Sequence, residues 1–274
     1  MTEVEWARLT APEIRALTTS GRALAVLPVG ALEQHGPHLP VITDSLIASD
    51  LALRAARLVA DTDPVLVLPA VWSGMSEHHL PFGGTITLDY AGLAGVLRGV
   101  ARSLRAIGFA RLLVVNGHGG NNDPLGVACR ELAHEFGFPV VAAMPWSLIP
   151  ETLAAVLERQ RGVQHACEAE TSVMLALAPD LVRADKLEQA ATQAPGAIAG
   201  RPGMSRFWSF AERAPGSGVR GDPRPATAAK GEILVAAMAE ALAGAMRDAE
   251  LWRVPDPVFA PGRGLGPTGP TPAG

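Results

Sequence analysis

The chain has 274 residues, of which 48% are hydrophobic and 18% are charged, with a formal net charge of −4 and a pI near 6.0. Such values are typical of folded globular proteins and exclude the disordered class, and the lack of a basic run disfavours nucleic acid as a partner. The sequence has two cysteines, no signal-peptide pattern and no apolar stretch long enough to span a membrane. We therefore expect a soluble, cytoplasmic protein that binds neither membranes nor nucleic acid.

Short apolar runs alternate with segments of helical periodicity along the chain. They predict strands at 23–29, 65–69, 111–115 and 140–144 and helices at 46–60, 93–107, 124–136, 169–177 and 227–247. Thr43 or Asp44 is a candidate N-cap of the first of these helices, and Gly108 and Gly137 are expected to end two others. This alternation predicts a three-layer α/β/α fold with a mostly parallel sheet covered by helices on both faces.

The chain length fits one α/β unit, and we find no internal repeat. We therefore predict a single domain over residues 1–254. Segment 193–225 is rich in Gly, Pro, Ser and Arg and is expected to form an ordered loop. Segment 255–274 is expected to be a flexible Pro/Gly-rich tail.

Four of the seven histidines lie in three short segments that also carry carboxylates or glycines. These segments are 33–38 (EQHGPH), 116–121 (NGHGGN) and 165–170 (HACEAE). Imidazole and carboxylate together form the ligand set that zinc and similar divalent metals bind. The first two segments follow predicted strands, and the carboxyl ends of parallel strands form the edge where α/β sheets bind ligands. The sequence therefore predicts a metal site at this edge.

The candidate ligands on these segments are Glu33, His35, Asp44 and His118. Carboxylates and histidines that converge would repel one another unless cations neutralised them, which favours two metals over one. Each residue also has a simpler interpretation when it is taken alone. An isolated Asp44 is most often a helix cap, Glu33 a solvated surface residue, and segment 116–121 a tight turn with a structural histidine. The combination favours the metal site.

The 165–170 segment leaves its own alternatives open. Glu168 and Glu170 lie two residues apart on a predicted helix, so they cannot share a face, and the residues alone do not choose between them. Cys167 is a possible nucleophile, although a small buried thiol is the commoner role. His165 precedes the helix on a loop, where its imidazole could transfer protons.

Candidate substrate-binding residues follow the second and fourth predicted strands. Ser76, Glu77 and His78 form a polar run at the same edge, for which an exposed loop is an equally good interpretation. Trp146 is a candidate pocket wall, or else an ordinary core or surface tryptophan. His134 is expected to be a partly buried histidine without a role in the site.

Four motifs together resemble the creatininase (creatinine amidohydrolase) family of binuclear metallohydrolases, over a span from about residue 4 to residue 251. The motifs are LPVGALEQHGPHLPVITD at 27–44, NGHGGN at 116–121, HACEAETSVMLAL at 165–177 and GDPRPATAAKGE at 221–232. The resemblance implies a parallel α/β fold and a homo-oligomer, specifically a homohexamer. It also implies two divalent ions per chain, zinc first, with manganese or iron as alternatives.

The resemblance also implies roles for individual residues. Asp44 would bridge the two ions, Glu33 and His118 would complete the ligands of one, and His35 and Glu170 those of the other. The match to the Glu-Thr-Ser motif selects Glu170 over Glu168, and it assigns Glu170 to catalysis as well. His165 matches a proton-transfer histidine, and Trp146 matches a tryptophan near the substrate.

This chain departs from the creatinine-cleaving members at several positions. A tyrosine and a metal-binding glutamate of those members are replaced here by Gly119 and Gly120, and a Trp-Asp pair falls on Arg161 and Gly162. These departures disfavour creatinine as the natural substrate. The NGHGGN motif is instead typical of the mycofactocin precursor peptidase and of formamide hydrolases in the family.

We expect a binuclear metal-dependent amidohydrolase that cleaves a C–N amide bond of a cyclic amide, a formamide or a related small substrate by metal-activated hydroxide. His165 would protonate the leaving nitrogen, and the backbone N–H groups of Gly119 and Gly120 would donate to the oxyanion. The alternatives are a peptidase that trims a short peptide C-terminus, creatinine hydrolysis itself, and a non-catalytic metal-stabilised protein.

Overall fold

The structure, a computed structural model, describes residues 2–191 and 206–254. Its sheet has four strands in the order β2-β1-β3-β4, and every neighbouring pair is parallel. The strands are β1 (Leu24–Val29), β2 (Val65–Val67), β3 (Arg111–Asn116) and β4 (Val140–Ala143). The parallel sheet expected from the sequence is confirmed, with β2 and β4 ending one or two residues earlier than predicted.

Helices cover both faces of the sheet. They are α1 (Ala11–Thr18), α2 (Thr43–Val59), α3 (Tyr90–Ile107), α4 (Asn122–Phe136), α5 (Pro150–Val156), α6 (Glu168–Leu177), α7 (Leu187–Ala190), α8 (Phe210–Arg213) and α9 (Ala228–Arg247). On one face α9 packs against α2 and α6, and on the other α3 packs against α4. The three-layer α/β/α architecture is therefore confirmed.

The core lies on both sides of the sheet. Along β1, Leu24 and Val26 pack in the cluster under α2 and α9, whereas Ala25 and Leu27 pack in the cluster under α3 and α4. Successive side chains of a strand point to opposite faces, so a strand that is covered twice must be apolar at every position. Each fully buried leucine contributes about 1.5–3 kcal/mol relative to an exposed one.

Helix ends test the expectations from local sequence. Gly108 and Gly137 end α3 and α4 with φ values of 95° and 64°, as predicted for residues in the left-handed region. The N-cap prediction for α2 is wrong, because the N-cap is Ile42 and α2 begins at Thr43. Asp44 lies in the first turn instead, and its carboxylate faces two histidines rather than the backbone of its own helix.

The order of the strands creates a crevice between β1 and β3. The chain passes from β1 through α2 to β2 on one side, and then returns through α3 to β3 on the other side of β1. Open α/β sheets bind their ligands at such a reversal, outside the carboxyl ends of the strands. Among the described residues, no helix has the length and apolar character needed to cross a membrane.

Two predicted segments fall partly or wholly outside the described residues. The tail at 255–274 lies outside them, and so do residues 193–205 of the expected loop. The remainder of that loop carries the short helix α8, so it is not irregular throughout.

Candidate metal centre

Five candidate ligands converge at the crevice between β1 and β3. Glu33 and His35 follow β1, His118 follows β3, Asp44 starts α2, and Glu170 lies in the first turn of α6. All five side chains are buried, with at most 5% of each residue exposed. The sequence motifs thus meet in space although they are as much as 137 residues apart, the separation between positions 33 and 170.

Asp44 lies between two imidazoles. Its Oδ1 is 3.0 Å from His35 Nε2, and its Oδ2 is 3.1 Å from His118 Nδ1. Glu33 Oε2 is also 3.1 Å from His118 Nδ1. The two oxygens of the Asp44 carboxylate therefore face different histidines.

Backbone carbonyls orient both histidines. His35 Nδ1 is 3.2 Å from the carbonyl of Glu33, and His118 Nε2 is 3.0 Å from the carbonyl of Met75. A carbonyl only accepts, so these nitrogens carry a hydrogen. The opposite ring nitrogens face Asp44 and are the ones that could bind a metal once they are deprotonated. Histidine ligands of metals are held by the same kind of outer hydrogen bond.

The centre contains buried polar atoms that the described residues leave without hydrogen-bond partners. They are both carboxylate oxygens of Glu33, Nε2 of His35 and Oδ2 of Asp44. Buried carboxylate charge without full hydrogen bonding is costly, and a cation bound among these atoms would offset that cost. The donor set of imidazole nitrogens and carboxylate oxygens fits a divalent metal such as zinc.

The protonation of the centre supports the same interpretation. Burial lowers the pKa of His35, but the charge and hydrogen bond of Asp44 together with the charges of Glu170 and Glu33 outweigh burial and raise that pKa to about 10. Burial raises the pKa of Glu170 to about 7, against the opposing charge of His35. Without a metal the centre thus retains protons, and a bound metal would displace them.

The structure distinguishes the role of Glu168 from that of Glu170, a choice that the residues alone leave open. Glu168 accepts a hydrogen bond of 2.6 Å from Lys230 Nζ and another of 3.0 Å from the backbone N–H of Glu158. Glu170 accepts a 2.5 Å hydrogen bond from the N–H of Ala166 and shares a potential metal group with His35 and His165. Glu168 is therefore a structural carboxylate, and Glu170 is the one that faces the centre.

His165 lies beside the candidate ligands with one ring nitrogen available. Its Nε2 is 2.8 Å from the carbonyl of Gln34 and donates to it, which leaves Nδ1 with a lone pair 3.7 Å from Glu33 Oε1. Burial, with the charge of His35 added to it, holds the pKa of His165 well below its ordinary value. The imidazole is therefore neutral, and Nδ1 is its open acceptor position.

Two polar residues of the centre were not singled out from the sequence. His79 is buried, with Nε2 3.2 Å from Glu33 Oε1 and Nδ1 2.9 Å from the side-chain amide of Gln34. Gln34 also donates to the carbonyl of Gly218 at 3.0 Å. The available signals were the position of Gln34 between two predicted ligands and of His79 at the end of a polar run.

A cavity of about 520 Å³ opens onto the centre. Of the candidate substrate-binding residues, Glu77, His78, Gly119 and Gly120 line it. Ser76 is fully buried, and its hydroxyl is 3.3 Å from His118 Nε2. Trp146 is not among the lining residues of the described chain, because its side chain packs in the apolar core under α5 and α9. Trp146 is thus a core tryptophan in this structure rather than a pocket wall.

Segment 206–220 also lines the cavity, and the sequence did not reveal this. It contributes three arginines and three aromatic residues, namely Arg206, Phe207, Trp208, Phe210, Arg213 and Arg220. An arginine-rich composition was the available signal, but it did not show that the segment folds back onto the centre.

The fold and the centre together define an α/β protein with a buried imidazole–carboxylate site suited to divalent metals. The Creatininase family model, described as creatinine amidohydrolase, matches residues 7–246, and the chain belongs to this family. The expected resemblance is confirmed.

Two relatives and two solved structures illustrate this membership. The chain is 30% identical to creatinine amidohydrolase of Pseudomonas putida over 88% of this chain and 95% of the relative. It is 38% identical to the mycofactocin precursor peptide peptidase of Mycobacterium tuberculosis over 78% of this chain and 81% of the relative. A creatininase structure with manganese matches with a TM-score of 0.76 at 30% identity, covering 90% of this chain and 98% of that one. A creatininase variant of Zn-Zn type matches with a TM-score of 0.75 at 30% identity over the same shares.

Proposed function

We propose that this protein is a binuclear metal-dependent amidohydrolase that cleaves a C–N amide bond in a small substrate. The observation that carries the proposal is the position of Asp44, whose two carboxylate oxygens face the ring nitrogens of His35 and His118 separately. A carboxylate in this position is suited to bridge two ions. The unpartnered buried oxygens of Glu33 add ligand capacity on one side of it.

In this proposal Asp44 is shared by both ions. Glu33 and His118 complete the ligands of one ion, and His35 and Glu170 complete those of the other. Zinc suits the nitrogen and oxygen donors best, with manganese or iron as alternatives. The manganese and zinc forms of related creatininase structures support this choice.

Two divalent ions, when bound, would lower the pKa of a water molecule toward about 7 and polarise an amide carbonyl. The chain's own residues would handle the proton and the developing charge. His165 holds its Nε2–H on the carbonyl of Gln34, so Nδ1 is the atom that would accept a proton and deliver it to the leaving nitrogen. Gly119 and Gly120 line the cavity, and their backbone N–H groups would donate to the oxyanion.

The substrate class we propose is a formamide, a cyclic amide or a related small amide. Gly119 and Gly120 stand where creatinine-cleaving relatives carry larger residues, which disfavours creatinine. A peptidase acting on a short peptide C-terminus is the second candidate, supported by the 38% identity to the mycofactocin precursor peptidase. We further propose a homo-oligomer, specifically a hexamer, which light scattering coupled to gel filtration would test.

The first experiment is elemental analysis of the purified protein after dialysis against metal-free buffer. We expect about two equivalents of metal per chain and hydrolysis of at least one member of a formamide and cyclic-amide panel. Asp44→Asn should lose both metal and activity, whereas Asp50→Asn on the exposed face of the same helix should keep both. An Asp44→Asn protein with full metal content would refute the bridging assignment, and a metal-replete wild type that is inert on the amides and on short peptides would refute the hydrolase.

A further inference from the structure

Two arginines on the wall of the cavity lack an acidic partner. Among the described residues, Arg213 and Arg220 form no ion pair, and the Nε of Arg213 is buried without a hydrogen-bond partner. Arg206, the third arginine of the wall, stacks on the ring of Trp208 with its guanidinium carbon 3.7 Å from the ring centroid. Within the described residues, Arg213 and Arg220 make no such ring contact, and no acid takes up their hydrogen-bond donors.

Both arginines are tethered to the candidate proton-transfer histidine. The backbone N–H of Arg220 donates to the carbonyl of His165 at 2.9 Å, and the N–H of His165 donates back at 3.3 Å. Arg213 ends α8, whose first residue, Phe210, lies 4.6 Å from the His165 ring and 4.2 Å from the His79 ring between centroids. The two guanidinium groups are thus held next to the reaction centre rather than on a remote surface.

The charges around these arginines call for an anion. Burial lowers the pKa of Arg220, and the positive charge of Arg213 lowers it further, so the two groups repel each other. Burial and the charge of His118 lower the pKa of His78, and the charge of Arg213 lowers it further. In the part of the chain that the structure describes, the acids on the cavity wall apart from the candidate ligands are Glu77 and Asp123, both exposed and neither paired with these arginines.

We propose that Arg213 and Arg220 bind an anionic group of the substrate, so that the enzyme acts on amides that also carry a carboxylate or a phosphate. A guanidinium group presents two parallel donors that match either oxyanion, and hydrogen bonds to a charged group are stronger than neutral ones. This inference rests on the proposed hydrolase function and specifies its substrate class.

The kinetic test compares substrates that differ only in the anionic group. The metal-loaded full-length enzyme is assayed for formate release from N-formylglycine, from the neutral N-formylglycinamide and from N-formylaminomethylphosphonate. We expect wild type to prefer an anionic member, and Arg213→Met and Arg220→Met each to raise its KM by about ten- to hundredfold. The KM for the neutral amide should change far less than the KM for the anionic substrates, and the lysine variants should recover part of the loss. The carboxylate and phosphonate arms identify which anion is preferred.

Controls separate anion recognition from damage to the fold. Arg98→Met removes an exposed arginine that pairs with Glu135 on the far face of the sheet, and it should leave all three substrates unaffected. Metal content and circular dichroism verify each variant. If wild type shows no preference for an anion, or if the methionine variants lose the neutral and anionic substrates equally, the proposal is overturned.

A binding measurement keeps this inference separate from the hydrolase proposal. Titration calorimetry of the same metal-loaded proteins with N-formylglycine, its neutral amide and the phosphonate needs no turnover. Anion binding that weakens by about ten- to hundredfold in the methionine variants supports the arginine pair even if no substrate is hydrolysed. Equal binding by wild type and both variants overturns it, whatever the activity.

Discussion

Alanine at position 120 would place a methyl group where the structure has no space for it. An ideal Cβ on Gly120 lies 2.4 Å from His118 Nε2 and 2.5 Å from the carbonyl oxygen of Met75. Ordinary contact begins at 3.4 Å, so each neighbour is about 1 Å too close. The ring of His118 and the carbonyl of Met75 are themselves joined at 3.0 Å, so neither can move without disturbing the other.

The expected loss follows from that overlap. Metal–ligand distances hold to within about 0.2 Å, so a displacement of about 1 Å takes His118 out of ligand range. We expect Gly120→Ala to lose at least one metal equivalent per chain and the corresponding activity. Overpacking of a buried site costs typically about 1–3 kcal/mol, which we expect as the fall in the free energy of unfolding.

Gly119→Ala is the matched control, because a Cβ there meets no atom within 4 Å. Its metal content should equal that of wild type, and its stability should be unchanged or higher by up to about 1 kcal/mol, since alanine restricts the unfolded chain. Elemental analysis and urea unfolding of the metal-loaded proteins measure both quantities. If Gly120→Ala matched Gly119→Ala in metal content and in unfolding midpoint, the assignment of His118 as a ligand would be refuted.

Three further outcomes are expected. His165→Gln should keep both metals and lower kcat by about 10²–10⁴-fold, and an undiminished kcat would remove His165 from proton transfer. Lys230→Met should lower the free energy of unfolding in urea by about 3 kcal/mol, because the buried Glu168 loses its 2.6 Å ion pair. An unchanged free energy would mean that the backbone donors alone stabilise the Glu168 carboxylate. Acidification from about pH 8 to about pH 5 should release metal, since the ligands bind metal in their deprotonated form. Dialysis followed by elemental analysis at each pH measures this, and a metal content that does not change with pH would contradict it.

The fold was predictable because its signals are local. A parallel strand covered by helices is mostly apolar, and short apolar runs mark all four strands. Gly108 and Gly137 end their helices because their backbone enters a region that other residues avoid. Such features depend on a few neighbouring residues, so the sequence alone identifies them.

The convergence of the candidate ligands was predictable for a related reason. Ligands that follow parallel strands must meet at one edge of the sheet, whatever the details of the loops. The role of Asp44 was harder to choose, because a helix cap and a ligand look alike in sequence. The choice between Glu168 and Glu170 depends on Lys230, which is 62 residues away from Glu168. No periodicity in the sequence carries that information.

The return of segment 206–220 to the cavity is the feature that local patterns could not provide. It depends on the pairing of Arg220 with His165, two residues 55 positions apart, and on the packing of Phe210 against His79. A long connection of this kind has little periodicity, so its composition identifies it only as a loop.

The two halves of the site therefore have separate structural origins. The candidate ligands are attached to the sheet edge and to two buried helices, whereas the candidate anion-binding arginines come from the returning segment. His165 is in contact with both halves of the site. Its ring is hydrogen-bonded to the carbonyl of Gln34, and its main chain is hydrogen-bonded to the backbone of Arg220. Changes in segment 206–220 should consequently alter substrate preference and proton transfer while leaving metal content intact. Loops carried by a rigid scaffold change specificity in this way without disturbing the chemistry beneath them.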